Sequence, residues 1–363
     1  MADDIPFMQI RDGHIYGSIN MNFSKFSAAI LASSVALGAS TASADLLDVH
    51  MSIPKDLTFL ADSAKLMDKS LRDMSGGDVG LNLFGSGELI PAGEILESVS
   101  SGAVPAGWSF LGQWGGQVPV SQIGATPFGA GPEALAAWLH VGGGLEIVQR
   151  GFDPLNIKVL ACHITAPEPG GWFNKEINSI EDFNGLKMRM AGVGAKVLNE
   201  FGASAQYMPA SEIYLALERG RIDATEFSLP IIDKDFGFNK ITKFQYYPGW
   251  HQPGSADVLM INMDVWNGMS SAERAMYEAA CQVSLGWTLQ YAPAAQTPQI
   301  EVFESEGTIV KTFPLEVLAK LRVATERVLN GEAEKDALYG EAYKSMKAFV
   351  ASSGRWTTLQ TLP

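Results

Sequence analysis

One arginine stands in a short strand-like run, Leu186-Lys187-Met188-Arg189-Met190, and it is the residue best placed to do chemistry. A guanidinium there needs a carboxylate, supplied by the protein or by a ligand. Its planar fork suits a carboxylate held by two hydrogen bonds. Ligands of parallel α/β sheets bind beyond the carboxyl ends of the strands. That rule selects Arg189 with its flank Ala191-Gly192, and the end of a later strand, Glu226-Phe227. Two readings follow for Arg189: an internal ion pair with Glu226, or a grip on a ligand carboxylate. Catalytic constellations are weak by comparison. The five histidines, His14, His50, His140, His163 and His251, include no pair at metal-ligand spacing such as H-x-x-x-H. No G-x-S-x-G elbow is present, and Gly142-Gly143-Gly144 lacks the Lys-Ser/Thr of a phosphate loop. With no credible nucleophile-base pair, the chain reads as a binding protein and not an enzyme. Trp108, Trp114, Trp172, Tyr207 and Trp250 are rings of the kind that fill cores and also line binding clefts.

The elements that must position these residues come in a repeated unit. Residues 91–108 read PAGEILESVSSGAVPAGW and residues 209–226 read PASEIYLALERGRIDATE. Pro91, Ala92, Glu94, Ile95, Gly102 and Ala106 match Pro209, Ala210, Glu212, Ile213, Gly220 and Ala224, which puts Trp108 at the position of Glu226. A duplicated α/β unit implies two similar lobes, and facing lobes make a cleft that can hold a small molecule.

The surrounding pattern agrees. Strands are expected at 46–51 and 79–84, around a helix at 56–74 whose stripe is Leu60, Ala64, Met67, Leu71 and Met74, stopped by Gly76-Gly77. Helix 92–101 and strand 103–108 complete the first unit. The second has strand 186–190, helix 194–201, strand 205–208, helix 212–219 capped by Ser211, and strand 222–227. Alternating elements imply parallel sheets covered by helices. Segment 109–132 reads as loop, and strands 155–164 and 257–263 lie near the joins. Ser270 with Glu273 forms a capping box for a long helix that Pro293 and Pro298 should kink or break. Residues 315–349 read as helical.

Composition bounds the class. The chain is 47% hydrophobic and 18% charged, as a globular protein is, and its net charge of -14 argues against nucleic acid and anionic membrane surfaces. From Met21 the sequence MNFSKFSAAILASSVALGASTASA has the layout of a secretory signal, with Lys25 first, an apolar stretch from Ala28 to Gly38, and Ala42-Ser43-Ala44 as the cleavage site before Asp45. Asp3, Asp4 and Asp12 suit no signal n-region, so Met21 is read as the true start and residues 1–44 as extension plus signal. Export to the periplasm follows. Cys162 and Cys281 are read as two buried free thiols, with a single disulfide as the alternative.

Three stretches, EPGGWFNKEINSIEDFNGLKMRMAG, MPASEIYLALERGRIDATEF and FGFNKITKFQYYPGWHQPG, resemble the DctP-type solute-binding proteins of tripartite ATP-independent periplasmic (TRAP) transporters. The likeness spans roughly residues 46–355, and GGWFNKEI, LKMRMAG and YYPGWHQPG point to the branch that binds 2-oxo acids and similar monocarboxylates. It implies a two-lobed periplasmic binding protein fold with a long C-terminal helical region. Lobe I would comprise 45–165 plus about 255–290, and lobe II 166–254 plus about 291–363. Arg189 matches the arginine that pairs with the ligand carboxylate, and Glu226-Phe227 an acidic-aromatic pair, usually Glu-Trp, near ligand and metal. Gln252 stands where that branch has Glu, and Glu168 where it has Gln, four residues before Trp172. A carboxylate lost at 252 thus reappears at 168, and a hard cation needs enough oxygen charge rather than one fixed address. The resemblance implies a Na⁺ or Ca²⁺ site of Glu168, the Phe227 carbonyl and Gln252. It places Arg189, Glu226, Phe227, Trp172, Trp108 and Glu168 around a small organic acid. It further implies hand-off to TRAP membrane subunits and a homodimer through the C-terminal helix. A receptor for an ATP-driven importer or a sensor, and a periplasmic hydrolase or lyase, are the alternative functions.

Overall fold

The computed structural model describes residues 45–360, so the signal segment and its cleavage site lie outside the described residues. The chain begins with β1 (Asp45–Met51), α1 (Leu60–Ser75), β2 (Val79–Phe84), α2 (Ile95–Ser100) and β3 (Ala106–Phe110). Helix α1 buries Leu60, Ala64, Met67 and Leu71 of the expected stripe but leaves Met74 exposed, and ends at Gly76, whose φ of 70° favours glycine. Helices α3 (Pro132–His140) and α4 (Gly144–Phe152) lead to β4 (Ile157–Thr165). The second half holds β5 (Gly171–Phe173), β6 (Lys187–Arg189), α5 (Gly192–Asn199), β7 (Ser204–Gln206), α6 (Ala210–Glu218), β8 (Ala224–Thr225), α7 (Pro230–Phe236) and β9 (Phe244–Tyr247). The chain returns through β10 (Ser255–Asn262) and α8 (Met263–Gly268) into α9 (Ser271–Ser305). It closes with β11 (Ile309–Thr312), α10 (Leu315–Lys335) and α11 (Ala337–Gln360).

Two sheets form, ordered β2-β1-β3-β10-β4 and β11-β9-β5-β8-β6-β7. Their plans match. In each, three parallel strands of a β-α-β-α-β run (β2-β1-β3 and β7-β6-β8) are followed by an antiparallel strand, β10 or β5. This is the duplicated α/β unit of the sequence, in two lobes. The sheets are mixed rather than parallel, because β10 and β5 arrive by chain crossings between lobes, outside the βαβ pattern.

Four local expectations need correction. Ser211 does not cap α6, which starts one residue earlier behind Pro209. Segment 109–132 contains two 3-10 turns, Leu111–Trp114 and Pro119–Gly124. Pro293 and Pro298 both sit inside an α9 that runs unbroken from Ser271 to Ser305. Each interior proline costs about 3 kcal/mol, but Ala292 and Phe303 are buried on either side and tertiary packing holds the helix together. The capping box of Ser270 and Glu273 is present. Finally, Cys162 on β4 and Cys281 on α9 form a disulfide, with Cα atoms 4.5 Å apart. Both lie in one buried cluster with Leu160 and Leu259. Burial base rates favoured free thiols, but pairing depends on where α9 packs, which sequence spacing does not give.

Helix α9 bridges the layers. It packs on α1 and β4, where Ser284 Oγ donates to the Ser63 carbonyl at 2.9 Å, and then against α7. Helix α10 packs on α5, and α11 on α3 and α4, where Trp138 Nε1 donates to Ser345 Oγ at 3.1 Å. No helix among the described residues is long and apolar enough to cross a membrane.

Candidate functional site

The site is built where two crossing segments touch the ends of β6 and β8. Residues 166–170 leave β4 for β5, and residues 248–254 return from β9 to β10. They are joined by a hydrogen bond from the Glu168 amide to the Gln252 carbonyl at 3.3 Å. Their contact is so close that a Cβ at Gly249 would lie 2.0 Å from the Glu168 carbonyl oxygen, so only glycine fits. This brings Glu168, His251 and Gln252 over Arg189, the last residue of β6, and Glu226, which follows β8.

Arg189 is buried and bonded to the protein. Its Nη1 donates to Glu226 Oε1 and to the Glu226 carbonyl, both at 2.7 Å, and its Nε to the Met208 carbonyl at 3.2 Å. These bonds leave Nη2 unused. The guanidinium lies between two rings, with Tyr207 centred 5.5 Å and Phe227 5.4 Å from its Cζ. Glu226 Oε1 also accepts from the Ala191 amide at 2.7 Å. Glu168 Oε1 accepts from Gln252 Nε2 at 2.8 Å and from Ser228 Oγ at 3.2 Å. Its Oε2 is buried with no hydrogen-bond partner. His251 Nε2 lies 3.5 Å from Glu168 Oε2 and 3.5 Å from Glu226 Oε2, which is ion-pair contact without a hydrogen bond.

The structure therefore brings together Arg189, Glu226, Glu168 and Gln252, with the Phe227 ring against the guanidinium. Trp172 stands one layer back. Its ring packs on Phe238 and Phe303, and its Nε1 donates to Asp233 Oδ2 at 2.7 Å. Asp233 Oδ1 accepts from the Ser228 amide at 3.0 Å, which ties Trp172 to the Glu168 partner Ser228. Trp172→Phe should leave a buried carboxylate oxygen unbonded and cost about 1–3 kcal/mol. Urea unfolding measures this, and an unchanged midpoint would show that the bond contributes nothing. Trp108 lies in the core of the first sheet with Met51, Leu259 and Cys162. The residue of β3 that reaches the space between the lobes is Phe110, at its end. Phe110, Gln122 and Ala125 face Gly192, His251 and Gln252 across about 20 Å³, room for a single water.

Sequence reasoning missed His251, Ser228, Asp233 and Asp257. His251 had a signal, its place beside Gln252 in YYPGWHQPG, but no spacing rule finds a cluster drawn from 168, 226 and 251.

Charge explains what the cluster can do. Glu168, Glu226, Asp233 and Asp257 are all buried, against the cations Arg189 and His251. Burial raises the Glu168 carboxyl to about 7, with the charge of Glu226 adding to it against His251 and Ser228. Burial and then Glu168 raise Asp257 to about 7, and burial with Glu168 raises Asp233 well above its ordinary range. Burial also opposes ionised Glu226, yet Arg189, His251 and the Ala191 amide together hold it below the usual range. Burial disfavours charged His251, but Glu168 and Glu226 outweigh it and lift it to about 9.

The stability contributed by His251 is complete below its ordinary 6.5 and is lost as pH rises through about 9. Glu168 and Asp257 act in the same sense, because ionising them costs the folded state more than the unfolded one. Below 6.5 the buried His163, held neutral down to about 3, opposes them. In chelator, the melting temperature should therefore rise as pH falls from about 9 to about 7. Calorimetry across that window would contradict this arrangement if the melting temperature fell.

The donor set fits a hard cation. Glu168, Glu226 and His251 each offer an atom within 4.8 Å of the others, and an unpartnered buried carboxylate oxygen is among them. Oxygens of Glu168 and Glu226 suit Na⁺ or Ca²⁺.

Comparison with known proteins gives the family of the chain. Residues 51–336 match the family described as "Bacterial extracellular solute-binding protein, family 7", DctP. The chain is 32% identical over 312 residues to the monocarboxylate 2-oxoacid-binding periplasmic protein of Nostoc sp., covering 85% of each. It superposes with a TM-score of 0.83, at 30% identity, on a TRAP transporter solute-binding protein from Bordetella bronchiseptica. That structure is a mixed-occupancy dimer with copurified calcium and picolinate in one active site, and the match covers 86% of this chain and 94% of that one. A TRAP periplasmic solute-binding protein from Pseudoalteromonas atlantica, with bound sodium and pyruvate, matches with a TM-score of 0.82 at 29% identity, covering 86% and 96%. Proteins of this family are binding receptors rather than enzymes. The chain belongs to the DctP family of bacterial extracellular solute-binding proteins.

Proposed function

We propose that this receptor captures a small 2-oxo monocarboxylate together with Na⁺ or Ca²⁺ in the periplasm and delivers it to TRAP membrane subunits. The observation that carries the reading is the buried Glu168 Oε2, which has no hydrogen-bond partner and is met only by His251 in ion-pair contact at 3.5 Å. Arg189 binds the ligand carboxylate through Nη2, and a two-bond grip requires Glu226 to release Nη1. Phe227 and Tyr207 keep the guanidinium plane fixed between their rings. Glu168 and Gln252, with the Phe227 carbonyl, hold the cation, and the Gln252 amide turns its oxygen inward to do so. When bound, the cation supplies positive charge shared between the protein carboxylates and the acid. Trp172 positions Glu168 through Asp233 and Ser228, and Trp108 supports the facing lobe from its core.

Lobe I is taken as 45–165 with 255–290 and lobe II as 166–254 with 291–363, which close on the ligand because only the closed state collects contacts from both. Mature protein starts at Asp45 after cleavage behind Ala44, and N-terminal sequencing checks this. The last turns of α11 expose Trp356 and Leu359, which supports a homodimer through that helix. Sedimentation giving only monomer would exclude it.

The test of the ligand class is a thermal-shift panel with pyruvate, longer 2-oxo acids, succinate and galacturonate. The 2-oxo acids should raise the melting temperature most. A shift with succinate or galacturonate and none with pyruvate would end the 2-oxo reading.

A further inference from the structure

A second cavity lies away from the Arg189 cluster, between residues 126–130 and helices α10 and α11. Its volume is about 150 Å³, where roughly 10–15 Å³ holds one water. Leu329, Met346 and Val350 give it an apolar wall. Thr126 and Thr325 also line it, and each is more than nine-tenths buried with a hydroxyl that has no hydrogen-bond partner. The rim carries Arg322 and Lys347. Neither has a carboxylate within ion-pair distance among the described residues, although the chain has a net charge of -14. Glu326 is the one acidic residue in the lining.

The wall is preformed. Phe128 holds a φ of 51°, a conformation that non-glycine residues keep only when their surroundings over-determine it. Its amide donates to the Trp250 carbonyl at 2.8 Å, and Arg322 Cζ stacks 4.3 Å from its ring centre. A Cβ at the next residue, Gly129, would lie 2.7 Å from the Thr126 carbonyl, so the turn tolerates no side chain there.

We infer that this cavity is a second binding site, for a small organic anion with an apolar body. The anionic end meets Arg322 and Lys347, and the apolar body packs on Leu329, Met346 and Val350. No residue that lines it belongs to the Arg189 cluster.

The experiment uses full-length mature protein with ¹³C-methyl methionine, saturated with pyruvate, and benzoate as the probe. Met346 reports on this cavity and Met190, against Gly194, on the cleft. Benzoate should shift the Met346 signal saturably and leave Met190 in place. Arg322→Gln with Lys347→Gln should weaken that response at least about tenfold, and Val350→Trp should abolish it by filling the space, with Met190 unaffected in both. A Met346 signal that stays fixed overturns the proposal, as does a benzoate response confined to Met190. Benzyl alcohol binding as well as benzoate would overturn its anionic character.

Discussion

Arg189→Leu is expected to destabilise the protein by about 3–5 kcal/mol, because it takes the nearest cation from the buried Glu226 and leaves only His251, 3.5 Å from the other oxygen. Glu226 is fully buried, and after the change its Oε1 retains only the Ala191 amide. Urea unfolding reads the loss. Combining Arg189→Leu with Glu226→Gln should recover much of it, since the double variant buries no unpaired charge, and such a cycle isolates the pair. The conservative Arg189→Lys separates binding from folding. Lysine keeps the charge but offers one compact ammonium, which cannot serve the Met208 carbonyl, Glu226 and a ligand carboxylate at once. Affinity for pyruvate should fall at least tenfold, on the order of 1.4 kcal/mol. An unchanged affinity in the lysine variant removes Arg189 from the ligand site and leaves it as an internal ion pair.

Glu168→Gln should move stability and binding in opposite directions. The native carboxylate is raised by burial and has one oxygen without a partner, so an amide of the same shape removes a charge that the folded state holds at a cost. In chelator at pH 8, the variant should be more stable by about 1–3 kcal/mol, and its melting temperature should depend less on pH between 7 and 9. Its gain in pyruvate affinity on adding Ca²⁺ should fall at least about a hundredfold, roughly 2.7 kcal/mol. A variant that keeps the full cation response would place the cation elsewhere. A variant less stable in chelator would mean that Glu168 serves folding through Ser228 and Gln252.

Much of the fold was legible because periodicity reports local burial. Strand 79–84 and the first four residues of the α1 stripe fall where the sequence put them, and the PAGEI and PASEI segments do begin equivalent units in two sheets of one plan. The antiparallel strands β10 and β5, the unbroken run of α9 through its prolines and the Cys162–Cys281 bond are decided by packing between distant segments, which no window reveals. The site divides in the same way. Arg189 was visible as a charge in a strand, and Glu168 with Gln252 as an exchange against the pattern of the resembling branch. His251 becomes meaningful only when the crossing at Gly249 sets it between Glu168 and Glu226. Trp108 shows the limit of the internal repeat: the position equivalent to Glu226 lies in the core, while Phe110 reaches the cleft.

Calorimetric titration of pyruvate into refolded mature protein, once with Ca²⁺ or Na⁺ and once in chelator, tests the joint site of acid and cation most directly. The arrangement of Arg189, Glu168 and Gln252 predicts tight binding with the cation and a large loss without it. Equal affinity in chelator would contradict the cation site, and no binding in either condition would contradict the 2-oxo acid reading itself.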